Sequence, residues 1–210
     1  MSEAGRHEFS VASTRDIHIG RILALRLDDV VMPGGNTAGR EVVEHLGAVA
    51  IAALDDDGNV TLIHQYRHPL GRRIWELPAG LIDKADEDPV DAAKRELVEE
   101  VGLVAEDWSV LVDVAASPGF TDEVVRVFLA TGLSSVEREV LGDEEADLVA
   151  KRVPLVEAVR MALAGEIVNG AAVAGVLAAH AVDSGIAPPR SANAPWQDRP
   201  TRFAQRQTGG

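Results

Sequence analysis

An acidic helix with one dry face constrains this chain most. Residues 88–103 read Asp-Pro-Val-Asp-Ala-Ala-Lys-Arg-Glu-Leu-Val-Glu-Glu-Val-Gly-Leu. Asp88 is a good N-cap, Pro89 suits the first helical position, and Asp91 completes a pair of the capping-box kind. Good helix formers follow, and Gly102 supplies a left-handed stop. Ala93, Leu97 and Val101 recur every four residues, which gives one apolar face for burial. The other face sets Glu96 and Glu100 about 5–6 Å apart at Cβ, with Glu99 beside them, and like charges at that spacing destabilise a helix. Arg95 reaches Glu99 but does not neutralise three acids. On these residues alone two readings stay open. The face is either a solvated charge run, as most such runs are, or the seat of a hard divalent cation, which takes carboxylates and substrate phosphates as ligands.

With its flanks, the stretch resembles the signature of the Nudix hydrolases, G-x5-E-x7-R-E-U-x-E-E-x-G-U, where U is a bulky aliphatic. Gly80, Glu87, Arg95-Glu96-Leu97, Glu99-Glu100 and Gly102-Leu103 carry the match. Six residues separate Gly80 from Glu87, where the signature has five. The extra residue lies ahead of Asp88, so the helix register is unchanged. The resemblance implies an α+β chain with the Nudix fold, a mixed β-sheet sandwiched between helices. It also implies Mg²⁺, or Mn²⁺, held by Glu96, Glu99 and Glu100, with Arg95 orienting the glutamates. Glu76-Leu-Pro-Ala-Gly80 resembles the lead-in of the family's ADP-sugar hydrolases, in which the alanine gives its backbone carbonyl to a metal; Ala79 inherits that role.

Pro118 stands sixteen residues past Gly102. A proline there resembles the mark of the ADP-ribose-hydrolysing subgroup, in which a loop glutamate approaches the reacting phosphate. Glu144 and Glu145 both qualify, and the sequence does not choose between them. The expected catalytic set is therefore Arg95, Glu99, Glu100 and one of Glu144 or Glu145. The expected reaction is metal-dependent hydrolysis of ADP-ribose to AMP and ribose 5-phosphate. Two alternatives stand beside it: another nucleoside diphosphate sugar such as GDP-mannose, and a non-catalytic Nudix-fold sensor. Sensors usually have a degraded signature, and this one keeps every glutamate.

Arg67, Arg72 and Arg73 stand just ahead of the acidic helix, and guanidinium groups bind phosphate bidentately. The plainer alternative is a surface cluster pairing with an acidic protein. Trp75 reads as a base-stacking platform or as a core residue. The expected substrate-binding residues are Arg40, Arg67, Arg72, Trp75, Glu76, Pro118 and Gly119.

The formal net charge of −14 argues against nucleic acid or an anionic membrane as partner. An anionic substrate needs local arginines or metal against that field. The absence of cysteine excludes disulfides and thiolate chemistry and suits a cytoplasmic location. No signal peptide is expected at the N-terminus. The longest apolar stretch, Ala171 to Val182, falls short of the roughly 20 residues that span a bilayer.

In chain order, residues 1–45 read as a small antiparallel sheet with a turn at Pro33-Gly34-Gly35-Asn36. Such a sheet needs a partner for its apolar face. In the Nudix enzymes the chain resembles, it mediates a homodimer with exchanged strands. Residues 46–184 form the expected Nudix domain, opening with a hairpin turned at Asp55-Asp-Asp-Gly-Asn59. After the signature come strands from Trp108 and Val124 and a strand over 148–153. A helix over 154–164 carries Leu155, Val159 and Leu163 on one stripe. A second helix over 170–184 is apolar nearly all round, which predicts burial, with His180 as a satisfied histidine. Residues 185–210 are expected as an extended tail docked by Trp196 and Phe203.

Overall fold

The computed structural model describes residues 7–84, 87–138 and 148–208. In chain order the elements are β1 (Val11–Ile19), β2 (Leu23–Val31), β3 (Thr37–His45), β4 (Ala48–Ala53), β5 (Asn59–Arg67) and β6 (Arg72–Glu76). Then follow β7 (Ala79–Leu81), α1 (Pro89–Val101), β8 (Leu103–Ala115), β9 (Val124–Ser135), β10 (Val149–Pro154), α2 (Leu155–Leu163), α3 (Gly170–Asp183), β11 (Arg190–Ser191) and α4 (Arg202–Thr208). They fall into two compact units. One comprises Met1–Gly47, Ala115–Glu123 and Arg199–Gly210; the other comprises Ala48–Val114 and Val124–Asp198.

The larger unit is built on a five-stranded sheet in the order β11-β8-β9-β4-β7, with a three-stranded sheet β10-β5-β6 beside it in the same unit. The five-stranded sheet is mixed, because β4 runs parallel to β9 and antiparallel to β7. Its inner strand β4 carries no polar residue, as a strand covered on both sides requires. Val49, Ile51 and Phe128 pack with Ala92, Ala93 and Leu97 of α1. The alternate residues Ala50, Ala52, Val127 and Leu129 pack with Ala158 and Met161 of α2 and with Ala172 and Val176 of α3. The period of two along each strand thus feeds two cores, one on each side of the sheet. Leu97 is fully buried, which contributes about 1.5–3 kcal/mol. At Gly175 of α3 a Cβ would stand 2.6 Å from Leu77 Cδ1, so only glycine lets that helix approach so closely.

Several local expectations need correction. Residues 46–68 do not form a plain hairpin. A single bridge, Leu54 to Val60, closes the turn, and β4 and β5 then enter different sheets. The cause is that both runs are buried on both sides, so each is taken as an inner strand. The turn itself is held by Asp55, whose Oδ1 accepts from the amides of Asp57 and Asn59 at 3.0 and 2.8 Å. On α2 the buried residues are Leu155, Ala158 and Met161, while Leu163 is 76% exposed. Helix α3 buries one side only, and Leu177 faces solvent. His180 Nδ1 is buried and has no hydrogen-bond partner among the described residues, against the expectation of a satisfied histidine. Within the expected extended tail, residues 202–208 are helical.

In the smaller unit, β1, β2 and β3 form an antiparallel sheet. Its buried residues include charged ones: Arg26, Asp28 and Glu44. Arg26 Nε donates to both Asp28 oxygens at 3.0 Å, and its Nη1 donates to Glu44 Oε1. Arg206 of α4 completes the network, donating to Glu44 Oε2 at 2.5 Å and to both oxygens of Asp16. A buried carboxylate is stable only when paired in this way. Strand β1 is exposed along its whole length, with Val11, Ile17 and Ile19 among its side chains.

Candidate active site

Helix α1 is capped as its sequence requires. Asp88 Oδ1 accepts from Val90 N at 3.0 Å, and Gly102 closes the helix at φ 63°. Asp91 pairs with Lys94 one turn on, at 2.9 Å. With Leu97 and Ala93 inside, the register sets Glu96 against Gly80 and Glu100 against Ala79 of β7, with Glu99 joined to Glu96 through Arg95.

Arg95 organises that flank. Its Nε and Nη2 donate to the two oxygens of Glu87 at 3.0 Å each, and its Nη1 donates to Glu96 at 2.5 Å and Glu99 at 3.2 Å. Nη2 also reaches the Leu81 carbonyl at 3.4 Å. With Asp83 at 3.5 Å from Nη2, one guanidinium gathers four carboxylates, and the repulsion between them is offset at a single point. Glu87 above all, against the pull of burial, holds the Arg95 guanidinium well above its ordinary range and thus always charged.

Glu100 is the most buried acid of the face. Its Oε2 accepts from Ala79 N at 2.8 Å. Burial pushes its carboxyl up to about 8 in spite of that bond. Burial likewise raises the Glu96 carboxyl, against the opposing effect of Arg95. Both shifts have the physical sense of carboxylates short of positive charge. Gly80 makes room for Glu96: a Cβ there would lie 2.0 Å from Glu96 Cδ. The donors are all hard oxygens, gathered in a cradle that a side chain at residue 80 would fill, and that set suits Mg²⁺ or a similar divalent ion. Among the described residues no three His, Asp or Glu side chains already stand as a ready-made ligand cage.

The strands ahead of the helix bring further groups. Glu76 on β6 is 1% exposed. Its Oε1 accepts from Arg67 Nε at 2.8 Å, and its Oε2 accepts from Arg67 Nη2 at 2.6 Å and from Gln65 Nε2 at 3.1 Å. Trp75 stacks on His64 with ring centroids 4.5 Å apart and packs against the core. Arg72 is exposed at the start of β6. Of the remaining expected residues, Arg40, Pro118 and Gly119 belong to the smaller unit. Arg40 is exposed on β3 and bonds the Gly39 carbonyl at 2.9 Å. Pro118 and Gly119 occupy the exposed turn 117–121, closed by Phe120 N and Thr121 N on the Ser117 carbonyl. Glu144 and Glu145 lie outside the described residues.

Sequence reasoning left Glu87, Gln65 and Gly80 out of the site. Each had a signal. Glu87 and Gly80 are fixed positions of the signature, and Gln65 sits two residues before Arg67 on one strand face.

The fold and the Arg95-centred face together define a hydrolase of phosphate esters or diphosphates. The NUDIX domain family matches residues 44–172, and the chain belongs to that family. It is similar to an ADP-ribose pyrophosphatase of Mycobacterium tuberculosis, 57% identical over 95% of this chain and 97% of the relative. It is also similar to an ADP-ribose pyrophosphatase of Bacillus subtilis, 38% identical over 76% of this chain and 86% of the relative. The crystal structure of an ADP compounds hydrolase shares its fold, with a TM-score of 0.74 over 86% of this chain and 96% of that one, at 22% identity.

Proposed function

We propose that this Nudix hydrolase cleaves the diphosphate of ADP-ribose, giving AMP and ribose 5-phosphate. What supports this most is the 57% identity, across 95% of the chain, to a protein named ADP-ribose pyrophosphatase. The intact carboxylate face agrees with it.

Glu96, Glu99, Glu100 and the Ala79 carbonyl are the groups that would hold Mg²⁺. When bound, such an ion supplies positive charge for the diphosphate and lowers the pKa of a bound water. The chain's own residues do the rest. Arg95 keeps Glu96 and Glu99 together while the charge on the face changes. Arg67 offers a guanidinium to a phosphate oxygen, where charge builds as the bridging P–O bond breaks. Water adds to one phosphorus and the other phosphate leaves with the bridging oxygen. Glu144 or Glu145 is the proposed acceptor of the water proton. Arg40, Arg72, Trp75, Pro118 and Gly119 are the proposed contacts to the rest of the substrate.

The exposed β1 strand supports a homodimer, since a strand edge left in water invites pairing. No helix among the described residues is long and apolar enough to cross a membrane. The cysteine-free composition supports action in the cytoplasm.

The test is incubation with ADP-ribose and Mg²⁺, following AMP by chromatography beside a chelated control. Metal-dependent AMP supports the reading. Cleavage of GDP-mannose but not ADP-ribose would keep the chemistry and change the substrate.

A further inference from the structure

Glu76 is a charged group in a place where charge is costly. It is 1% exposed, at the end of β6, in a strand whose neighbour Leu77 is also buried. A carboxylate there is stable only if its oxygens are occupied by strong donors. Both are. Arg67 takes one donor to each oxygen, and Gln65 adds a third bond. Glu76 therefore has both oxygens engaged inside the protein, and its burial keeps it from a ligand.

The other end of that interaction is different. The Arg67 side chain is 44% exposed, although one edge of its guanidinium is gripped at 2.8 and 2.6 Å. A long, flexible side chain at the surface normally loses much rotamer entropy on binding an anion. A buried bidentate partner removes that cost in advance. The grip also sets where the charge stands. Glu76 pairs with Ile63 of β5, which keeps it and Arg67 on neighbouring strands. Beyond Glu76 the chain runs through Leu77 and Pro78 to Ala79, whose amide holds Glu100.

We propose that Glu76 is a positioning residue for diphosphate hydrolysis: it touches no substrate, and it acts by fixing the Arg67 guanidinium beside the Glu100 end of the carboxylate face. This rests on the hydrolase reading above. It also replaces the expectation that Glu76 binds substrate directly.

The test is a double-mutant cycle of Glu76→Gln and Arg67→Lys, read as kcat, KM and Mg²⁺ affinity. Glu76→Gln keeps the shape and removes the bidentate grip. Its kcat/KM should fall about 10- to 100-fold, the usual cost of losing a buried partner of an active-site group. Mg²⁺ affinity should stay within about threefold of wild type. In the Arg67→Lys background the same change should cost less than about threefold, because the grip is already lost. Glu76→Asp, which keeps the charge on a shorter arm, should fall between wild type and Glu76→Gln, and it carries the cycle if the glutamine variant does not fold. A full, multiplicative loss in the Arg67→Lys background would overturn the proposal, since Glu76 would then act on its own. Unchanged turnover in Glu76→Gln would overturn it too. A wild type that cleaves another nucleoside diphosphate sugar but not ADP-ribose removes only the substrate reading, and the cycle is run on that sugar. A wild type that cleaves none of them removes both.

Discussion

Gly80 and Glu96 meet so closely that a Cβ on residue 80 would lie 2.0 Å from the Glu96 carboxylate carbon and 2.2 Å from its Oε1. The glycine is there for what stands opposite it. Glu96 can swing aside only by giving up its place on Arg95, whose Nη1 holds its Oε1 at 2.5 Å. Gly80→Ala should therefore move the Glu96 carboxylate and leave the fold in place, since the clash is with the end of a side chain. The expected outcome is a loss of Mg²⁺ affinity of about 10- to 100-fold, read by isothermal titration, with a melting temperature within a few degrees of wild type. Normal Mg²⁺ affinity would show that the position of Glu96 does not matter to the metal.

Glu100 is the acid whose burial is hardest to explain without a cation. It accepts from the Ala79 amide at 2.8 Å and is 8% exposed. Glu100→Gln preserves size and can keep the amide bond, but it removes the charge. Turnover should drop by two or more orders of magnitude, on the scale of losing a strong electrostatic group at a reacting centre. Urea unfolding in the absence of metal should be unchanged or slightly more stable, because a buried charge is gone. Near-normal turnover would take Glu100 out of the site.

Much of the site was legible because α1 is governed by local rules. Asp88, Pro89 and Gly102 fix where the helix begins and ends, and Leu97 fixes which side is buried; Glu96, Glu99 and Glu100 follow by geometry. The strands were less legible. An all-apolar run such as Ala48–Ala53 says that a strand is buried on both sides but not which strands flank it. The expected hairpin therefore became two strands in separate sheets. The partners of Arg67 were hidden for a related reason. Its bond to Glu76 depends on β5 and β6 pairing in register, with Ile63 opposite Glu76, and no local pattern encodes that register. Glu87 and Gly80 were visible as signature positions, but their roles come from what lies across from them in space.

The strap over 190–198 should be acid-sensitive. Arg126 is 2% exposed and donates to Asp113 Oδ1 at 2.7 Å and Oδ2 at 3.1 Å. It also binds the carbonyls of Ala194 and Pro195 and lies over the Trp196 ring at 4.6 Å. Arg190 adds a third bond to Asp113 at 3.0 Å. Burial pushes the Asp113 carboxyl up, but Arg126 and Arg190 outweigh it and hold it below the usual carboxylate range. A folded-state pKa below the unfolded one adds stability that is present above the unfolded value and is lost as pH falls through the folded one. Wild type should therefore lose stability more steeply than Asp113→Asn as pH falls below the ordinary aspartate value of about 3.9. At neutral pH the substitution should cost about 1.5–3 kcal/mol, as for a hydrogen bond to a charged group. Urea titrations at pH 7, 4 and 3 read both effects, and parallel pH curves for the two proteins would disprove the linkage.

Strand β1 should be the dimer contact. All nine of its residues are exposed, and Val11, Ile17 and Ile19 are 49%, 47% and 55% exposed. A half-exposed β-branched apolar residue on a sheet forgoes about half of the roughly 1.5–3 kcal/mol that full burial gives, so three of them together favour association. The edge itself also offers unpaired backbone groups for a second strand. Light scattering after size exclusion should give twice the 22.3 kDa chain mass for wild type. Ile17→Asp with Ile19→Asp places two charges on that surface and should give the monomer mass, since like charges facing across a two-fold contact repel. Because both side chains are exposed, the helical and sheet content by circular dichroism should not change. A wild type of monomer mass at tens of micromolar would remove the dimer, and a doubly substituted chain that still dimerises would move the contact away from β1.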